Sequence, residues 1–275
     1  MEDIPEERQR ALEHLIGEAE SKTIESHPLI TFDTFGTTAG LDPAAFNNAF
    51  LVYAAGHYGE LAYTQAQVAA WQKKFNENPN FFKKDPEYLR ESARGKVAIV
   101  QQGIYPIGFY PDVIDLFMEA LQKGMRLATT SKGGIELIEA IYSQDLPDPV
   151  SIGEMTYYSY KDFLDGIKST SAKGNMFPDK TDPNCYMEQV LKQYIDEGNV
   201  TLSYTSDDIA EVNAAFECSL RLNDLKNTAL NKGIAAIHIP PESHSRGNHQ
   251  VTEQNGIYIV HDLSEVVAIS QRYAT

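Results

Sequence analysis

Five short apolar runs, residues 29–33, 125–131, 200–207, 234–239 and 257–260, punctuate the chain and mostly end on polar or acidic residues. Runs this short and this continuous suit strands buried on both faces, which is the condition of parallel strands covered by helices. Helical patterns fall between several of them, at 113–123, 134–142, 186–194 and 209–222. The alternation predicts an α/β fold with a doubly wound, mainly parallel sheet. Residues 39–104 break the rhythm. They are helix-like, rich in Ala, Gln, Asn and aromatics, and carry Trp71 and the pairs Lys73-Lys74 and Lys83-Lys84. A helical cap inserted after the first strand is expected there, with hinges near residues 38–40 and 103–106, where glycine and proline sit. Residues 1–27 hold one polar segment in which Ala11, Leu12, Leu15, Ile16 and Ala19 recur at helical spacing, an N-terminal helical extension packed on the body. The core is then assigned to 28–38 plus 105–275 and the cap to 39–104.

Composition narrows what such a fold can do. Over 275 residues, 42% hydrophobic content suffices for a sizeable core. Asp and Glu outnumber Lys and Arg by 39 to 23, and the formal charge of −16 disfavours nucleic acid and anionic lipid. Cys185 and Cys218 are too few for a disulfide framework or a zinc site. With no charged-then-apolar leader and no apolar run near the ~20 residues that span a bilayer, a cytoplasmic protein with a small-molecule substrate is expected. A homodimer is compatible with this reading.

Ligands of doubly wound sheets bind at the carboxyl ends of the strands. The polar residues that end these runs should therefore meet: Asp33 from the first, Ser131 from the second, Asp207 from the third, with Lys180 in the polar stretch leading to the third. A carboxylate, a hydroxyl, an ammonium and a second acidic cluster suit attack on an electrophilic phosphorus or carbon.

In sequence order these residues form four short motifs: Asp33-Thr34-Phe35-Gly36-Thr37; Leu127 to Gly133 through Ser131 and Lys132; Lys180-Thr181-Asp182-Pro183-Asn184-Cys185-Tyr186; and Tyr204 to Ala215 through Asp207, Asp208 and Glu211. The constellation resembles the haloacid dehalogenase superfamily over roughly residues 28–262. The resemblance implies a hydrolase with a Rossmann-like catalytic core in which Asp33 is the nucleophile and Thr37, Ser131 and Lys180 complete the catalytic set. Phe35, Gly36, Lys132 and Tyr186 would meet the substrate. Magnesium would be held by Asp33, the Phe35 carbonyl, Asp207 and Asp208. Each position also has a plainer reading. Asp33 could cap a loop, Ser131 could cap a helix, Lys180 could be a surface lysine, and the acids at 207–211 could favour a helix dipole.

Phe35 is where the chain departs from the superfamily's phosphatases, which carry there a carboxylate that protonates the leaving group. Its loss removes a term typically worth ~10²–10⁴ in rate. A magnesium-dependent phosphatase acting on a small phosphorylated compound remains the leading expectation. The superfamily's metal-free 2-haloacid dehalogenases carry an aromatic at this position, but they use an early cap arginine, and residues 39–89 contain none. Phosphonoacetaldehyde hydrolases use a cap lysine, a part open to Lys73 or Lys74. A catalytically retired fold kept as a binding module is the non-enzymatic alternative. His238, His244, His249 and His261 suggest a metal cluster less well than a polar loop joining edge strands. The aromatics at 155–160 and Phe46, Phe50, Tyr53 and Tyr58 read as core or pocket lining.

Overall fold

A computed structural model describes residues 5–240, 244, 247 and 249–274. The elements run α1 (Glu6–Ser21), β1 (His27–Phe32), β2 (Ala39–Gly40), α2 (Pro43–His57), α3 (Gln65–Glu77), α4 (Pro86–Glu91), α5 (Ala93–Gln101), β3 (Gly108–Phe109), α6 (Val113–Gln122), β4 (Arg126–Ser131), α7 (Ile135–Tyr142), β5 (Asp145–Ile152), β6 (Met155–Ser159), β7 (Gly166–Ser169), α8 (Pro183–Glu197), β8 (Asn199–Ser206), α9 (Ile209–Leu222), β9 (Ala235–His238), β10 (Val251–Gln254), β11 (Ile257–Val260) and α10 (Glu265–Ala274). Short 3₁₀ turns lie at Phe81–Lys84 and Tyr160–Phe163.

Among the described residues seven strands form one sheet in the order β10-β11-β9-β8-β1-β4-β7, parallel except for the β10–β11 pair. The doubly wound α/β fold is therefore present. β1 lies between β4 and β8, so the chain order reverses around it and the tips of these three strands open a crevice. Ile30 and Phe32 of β1 and Leu127 of β4 pack with α6 and α10 side chains on one face. On the other, Tyr204 of β8 packs with α8 and α9, where α1 also docks through Leu12 and Ala19.

Among the described residues, 39–104 contribute no strand to this sheet. Four helices there enclose an aromatic cluster of Phe50, Tyr63, Trp71 and Tyr88. Both crossings between this helical region and the sheet meet in a two-stranded antiparallel ribbon, with Ala39 opposite Phe109 and Gly40 opposite Gly108. Local signals place the helices: Asp42, Thr64 and Asp85 accept hydrogen bonds at the starts of α2, α3 and α4, and Pro43 and Pro86 occupy first-turn positions.

The tyrosine-rich segment at 155–160 is not pocket lining. It pairs with β5 as a hairpin, presses Tyr157 onto Phe163 and leaves Met155 and Tyr158 exposed. Of the loop between His244 and His249, Ser245, Arg246 and Asn248 lie outside the described residues.

Candidate active site

Asp33 follows β1 directly, its backbone N–H still donating to the Thr205 carbonyl at 2.8 Å. The chain then reverses within Thr34, Phe35 and Gly36. Gly36 has φ +80°, and a Cβ there would overlap the Asp207 carboxylate, so only glycine fits both the turn and the approach. Thr38 ties the turn down by donating to the Thr34 carbonyl at 3.0 Å.

Lys180 reaches the same point from the turn before α8. It is fully buried, with Nζ 2.9 Å from Asp33 Oδ1 and 2.6 Å from Glu211 Oε2. Asp33 Oδ1 also accepts the Thr34 N–H at 2.8 Å, whereas Oδ2 has no hydrogen-bond partner among the described residues. Glu211, in the first turn of α9, accepts from Tyr204 at 2.9 Å and from Ser206 at 3.2 Å, and pairs with Lys132 at 3.0 Å. Thr37 Oγ accepts the Asp207 N–H at 3.0 Å and lies 3.3 Å from the Asp207 carboxylate. Ser131 Oγ accepts the Gly133 N–H at 3.2 Å, which leaves its hydroxyl hydrogen for another acceptor.

Electrostatics follow from crowding. Burial pushes the Asp33 carboxyl well above its ordinary value; Lys180 opposes this, and Glu211 and Asp207 add to it. A free Asp carboxyl, with a reference pKa of about 3.9, is ionised at neutral pH; the protein groups around Asp33 alone favour that form less. Burial and Glu211 also raise Asp207. Glu211 moves the other way: although burial works against its charge, Lys180 and Lys132 hold it below the usual carboxylate range.

One cavity collects these groups. Asp33, Phe35, Ser131, Lys132, Asp207, Asp208 and Glu211 line it from the sheet side, and Leu41, Phe46, Asn47, Phe82, Leu89 and Lys96 from the helical side. Asp208 lines it while Oδ1 caps α9 through the Ala210 N–H at 2.9 Å. Tyr186 does not line it. α8 carries that ring behind Lys180, 3% exposed, where it packs on Tyr204. Lys73 and Lys74 also stand away from the cavity, facing Glu77 and Asp85 on the outside of the helical region.

Three residues gain a role from the structure that their spacing did not give. Glu211, read only as part of an acidic cluster, is the carboxylate that shares Lys180 with Asp33. His244, read as loop, stacks on Tyr110, with Nε2 3.1 Å from the Gly36 carbonyl and Nδ1 3.3 Å from the buried Asp112 carboxylate. Lys96 is the third. It follows Ala93 and precedes Ile99 at helical spacing, so a charge standing in an apolar stripe was the available signal.

Solved structures share this architecture. The UTR4 protein of Saccharomyces cerevisiae aligns with a TM-score of 0.50 at 13% identity, over 87% of this chain and 98% of its own. A 2-haloacid dehalogenase from Pseudomonas syringae pv. tomato aligns at 0.46 and 14%, over 90% and 100%. A HAD phosphatase from Thermococcus onnurineus aligns at 0.46 and 14%, over 88% and 97%. The chain has a haloacid dehalogenase-like fold. No protein-family model and no curated relative matches at the sequence level. Among the described residues no helix is long and apolar enough to cross a membrane.

Proposed function

We propose that this chain is a magnesium-dependent hydrolase that uses Asp33 as nucleophile on a small phosphorylated compound. The observation that carries this reading is the state of Asp33: one carboxylate oxygen is fixed by Lys180 and the Thr34 N–H, while the other is unengaged on a residue that lines the cavity. That is the arrangement a nucleophile needs, oriented through one oxygen and able to attack through the other. Asp33 Oδ2 bonds to phosphorus as the ester oxygen departs, and water then cleaves the acyl phosphate and restores the carboxylate. Ser131 donates its hydroxyl to the transferring group, and Lys180 neutralises charge at Asp33.

The donor set suits a hard divalent cation. Asp33, Asp207, Asp208 and Glu211 line one cavity, and both nearby lysines, 132 and 180, are engaged by Glu211. Among the described residues no group of three or more His, Cys, Asp or Glu side chains is placed to hold a metal ion by itself, so a bound ion would need the Phe35 carbonyl, water and substrate oxygens as further ligands. Asp33, Asp207 and the Phe35 carbonyl would hold it, with Asp208 adding charge. When bound it would neutralise the crowded carboxylates and favour the ionised nucleophile.

Asp33→Asn tests the mechanism. It should abolish turnover of aryl and acyl phosphates while the melting temperature stays near that of the parent, and retained activity would overturn the assignment. Phe35 cannot protonate an alkoxide, so rates across leaving groups should depend steeply on their acidity, with Phe35→Asp flattening the slope. A second reading, displacement of halide from a 2-haloacid, is favoured by the same phenyl ring lining the cavity. Turnover of 2-haloacids in the presence of a chelator would select it.

A further inference from the structure

Among the described residues, Lys96 is a buried amine with no anionic partner. α5 carries it into the helical side of the cavity, 2% exposed, with its ammonium 4.4 Å from the Tyr88 ring centroid and 5.7 Å from that of Phe50. Its amino group forms no hydrogen bond or ion pair with any described residue. The polar neighbour on that side, Asn47, is largely engaged: one amide N–H donates to the Pro43 carbonyl at 2.6 Å and its oxygen accepts from Tyr88 at 2.7 Å, which leaves its second amide N–H as a neutral donor. A lysine so placed costs the fold its desolvation, and ring faces repay only part of that. Burial accordingly lowers its pKa to about 7. The remaining wall of the helical side, Leu41, Phe46, Phe82 and Leu89, is apolar, so among the described residues lining that side Lys96 is the cation an anion would meet.

We propose that Lys96 is a specificity-determining residue that receives a carboxylate on the substrate, so that the compound turned over carries a carboxylate in addition to the group attacked by Asp33. This deepens the reading given under Proposed function and rests on it for the location of the reacting end. One ammonium in an apolar wall is matched by one carboxylate, because the pair then carries no net charge out of water; a phosphoryl dianion would leave a charge unpaired. Asp33, Lys132, Asp207, Asp208 and Glu211 line the opposite side of the same cavity, where the lysines already engage Glu211. They leave Lys96 as the cation free to meet a second anion among the described residues lining the cavity.

Ligand-induced stabilisation of the full chain tests this without turnover. With magnesium present, melting temperatures are compared for phosphonoacetate and 3-phosphonopropionate against ethylphosphonate and propylphosphonate, in the parent, Lys96→Met and Lys96→Arg. A carboxylate bound at Lys96 should give a Kd roughly 10- to 100-fold tighter than that of the matched alkyl phosphonate. Lys96→Met should erase that ratio and Lys96→Arg should keep a large part of it. A ratio near one in the parent, no binding of either kind, or a ratio that survives Lys96→Met overturns the proposal. A role confined to holding the fold would lower the Lys96→Met melting temperature and leave the ratio untouched. Carboxylate preference in a protein that hydrolyses no phosphate ester would overturn the phosphatase reading alone.

Discussion

Two lysines lie inside this molecule in opposite circumstances. Lys180, on the sheet side, touches Asp33 and Glu211, whose combined pull outweighs the burial that opposes its charge and holds its pKa above the ordinary lysine value. Lys96, on the helical side, touches two aromatic rings and, among the described residues, no carboxylate, and burial lowers it to about 7. Burial is shared, so burial alone does not decide what a lysine does. Its partners do, and a lysine without a protein partner points to one supplied from outside.

The largest expected effect falls on the satisfied lysine. Lys180→Met leaves two buried carboxylates without their common cation and should cost about 3–5 kcal/mol in urea unfolding, together with turnover. A loss below about 1 kcal/mol would mean the carboxylates find water instead, and the contrast with Lys96 would collapse.

Lys96→Met should act in the other direction, stabilising the free protein by about 1–3 kcal/mol once the lost cation–π contacts are offset. Its pH dependence has a definite sign. With the folded pKa near 7 and the unfolded value near ~10.4, the unfolded chain binds a proton between these limits that the folded chain does not, so Lys96 destabilises increasingly as pH falls through that window. The groups facing the amine are the Tyr88 ring from α4 and the Phe50 ring from α2. The gain from Lys96→Met should be greatest at pH 6–7 and fade toward pH 10, as read from unfolding midpoints. A gain that grew with pH would contradict the geometry.

The smallest effect concerns the seam between the two regions. A Cβ at Gly134, at the start of α7, would overlap the Ala93 methyl of α5 and crowd the Leu89 carbonyl. Gly134→Ala should cost about 1–2 kcal/mol, and adding Ala93→Gly should restore part of it in a double-mutant cycle. Strict additivity of the two would mean the helices do not meet there.

The sheet side was the more legible of the two in sequence. A strand tip is marked by an apolar run and its polar end, so Asp33, Ser131 and Asp207 could be placed together from their positions alone, and Lys180 by its resemblance to a known motif. The helical region showed in the sequence as a break in the strand rhythm, but its chemistry did not. A helix face depends on what packs against it, so Lys73 and Lys74, adjacent and conspicuous, drew attention while Lys96 passed among the apolar residues of α5. His244 was hidden for a related reason: its contacts with Gly36 and Asp112 span 208 and 132 residues, and no local period reports such a distance. β7 and the exposed β10 are short strands without a long apolar run, and they became visible only through their neighbours.

The ribbon of β2 and β3 has a consequence for how this chain is assembled. Paired antiparallel residues lie only ~5 Å apart, so the excursion between Gly40 and Gly108 leaves and returns at a single root. Closing a long loop costs little more than closing a shorter one, since the entropy grows only with the logarithm of length. The helical region therefore joins the sheet through one stem, while α5 also packs across the seam against α7. A different helical module grafted between Gly40 and Gly108 would leave the Asp33 turn at the end of its strand but would have to cover Leu137 and Ile141 of α7, which pack with the present helices, and that ribbon is the natural splice point for recombining the two halves.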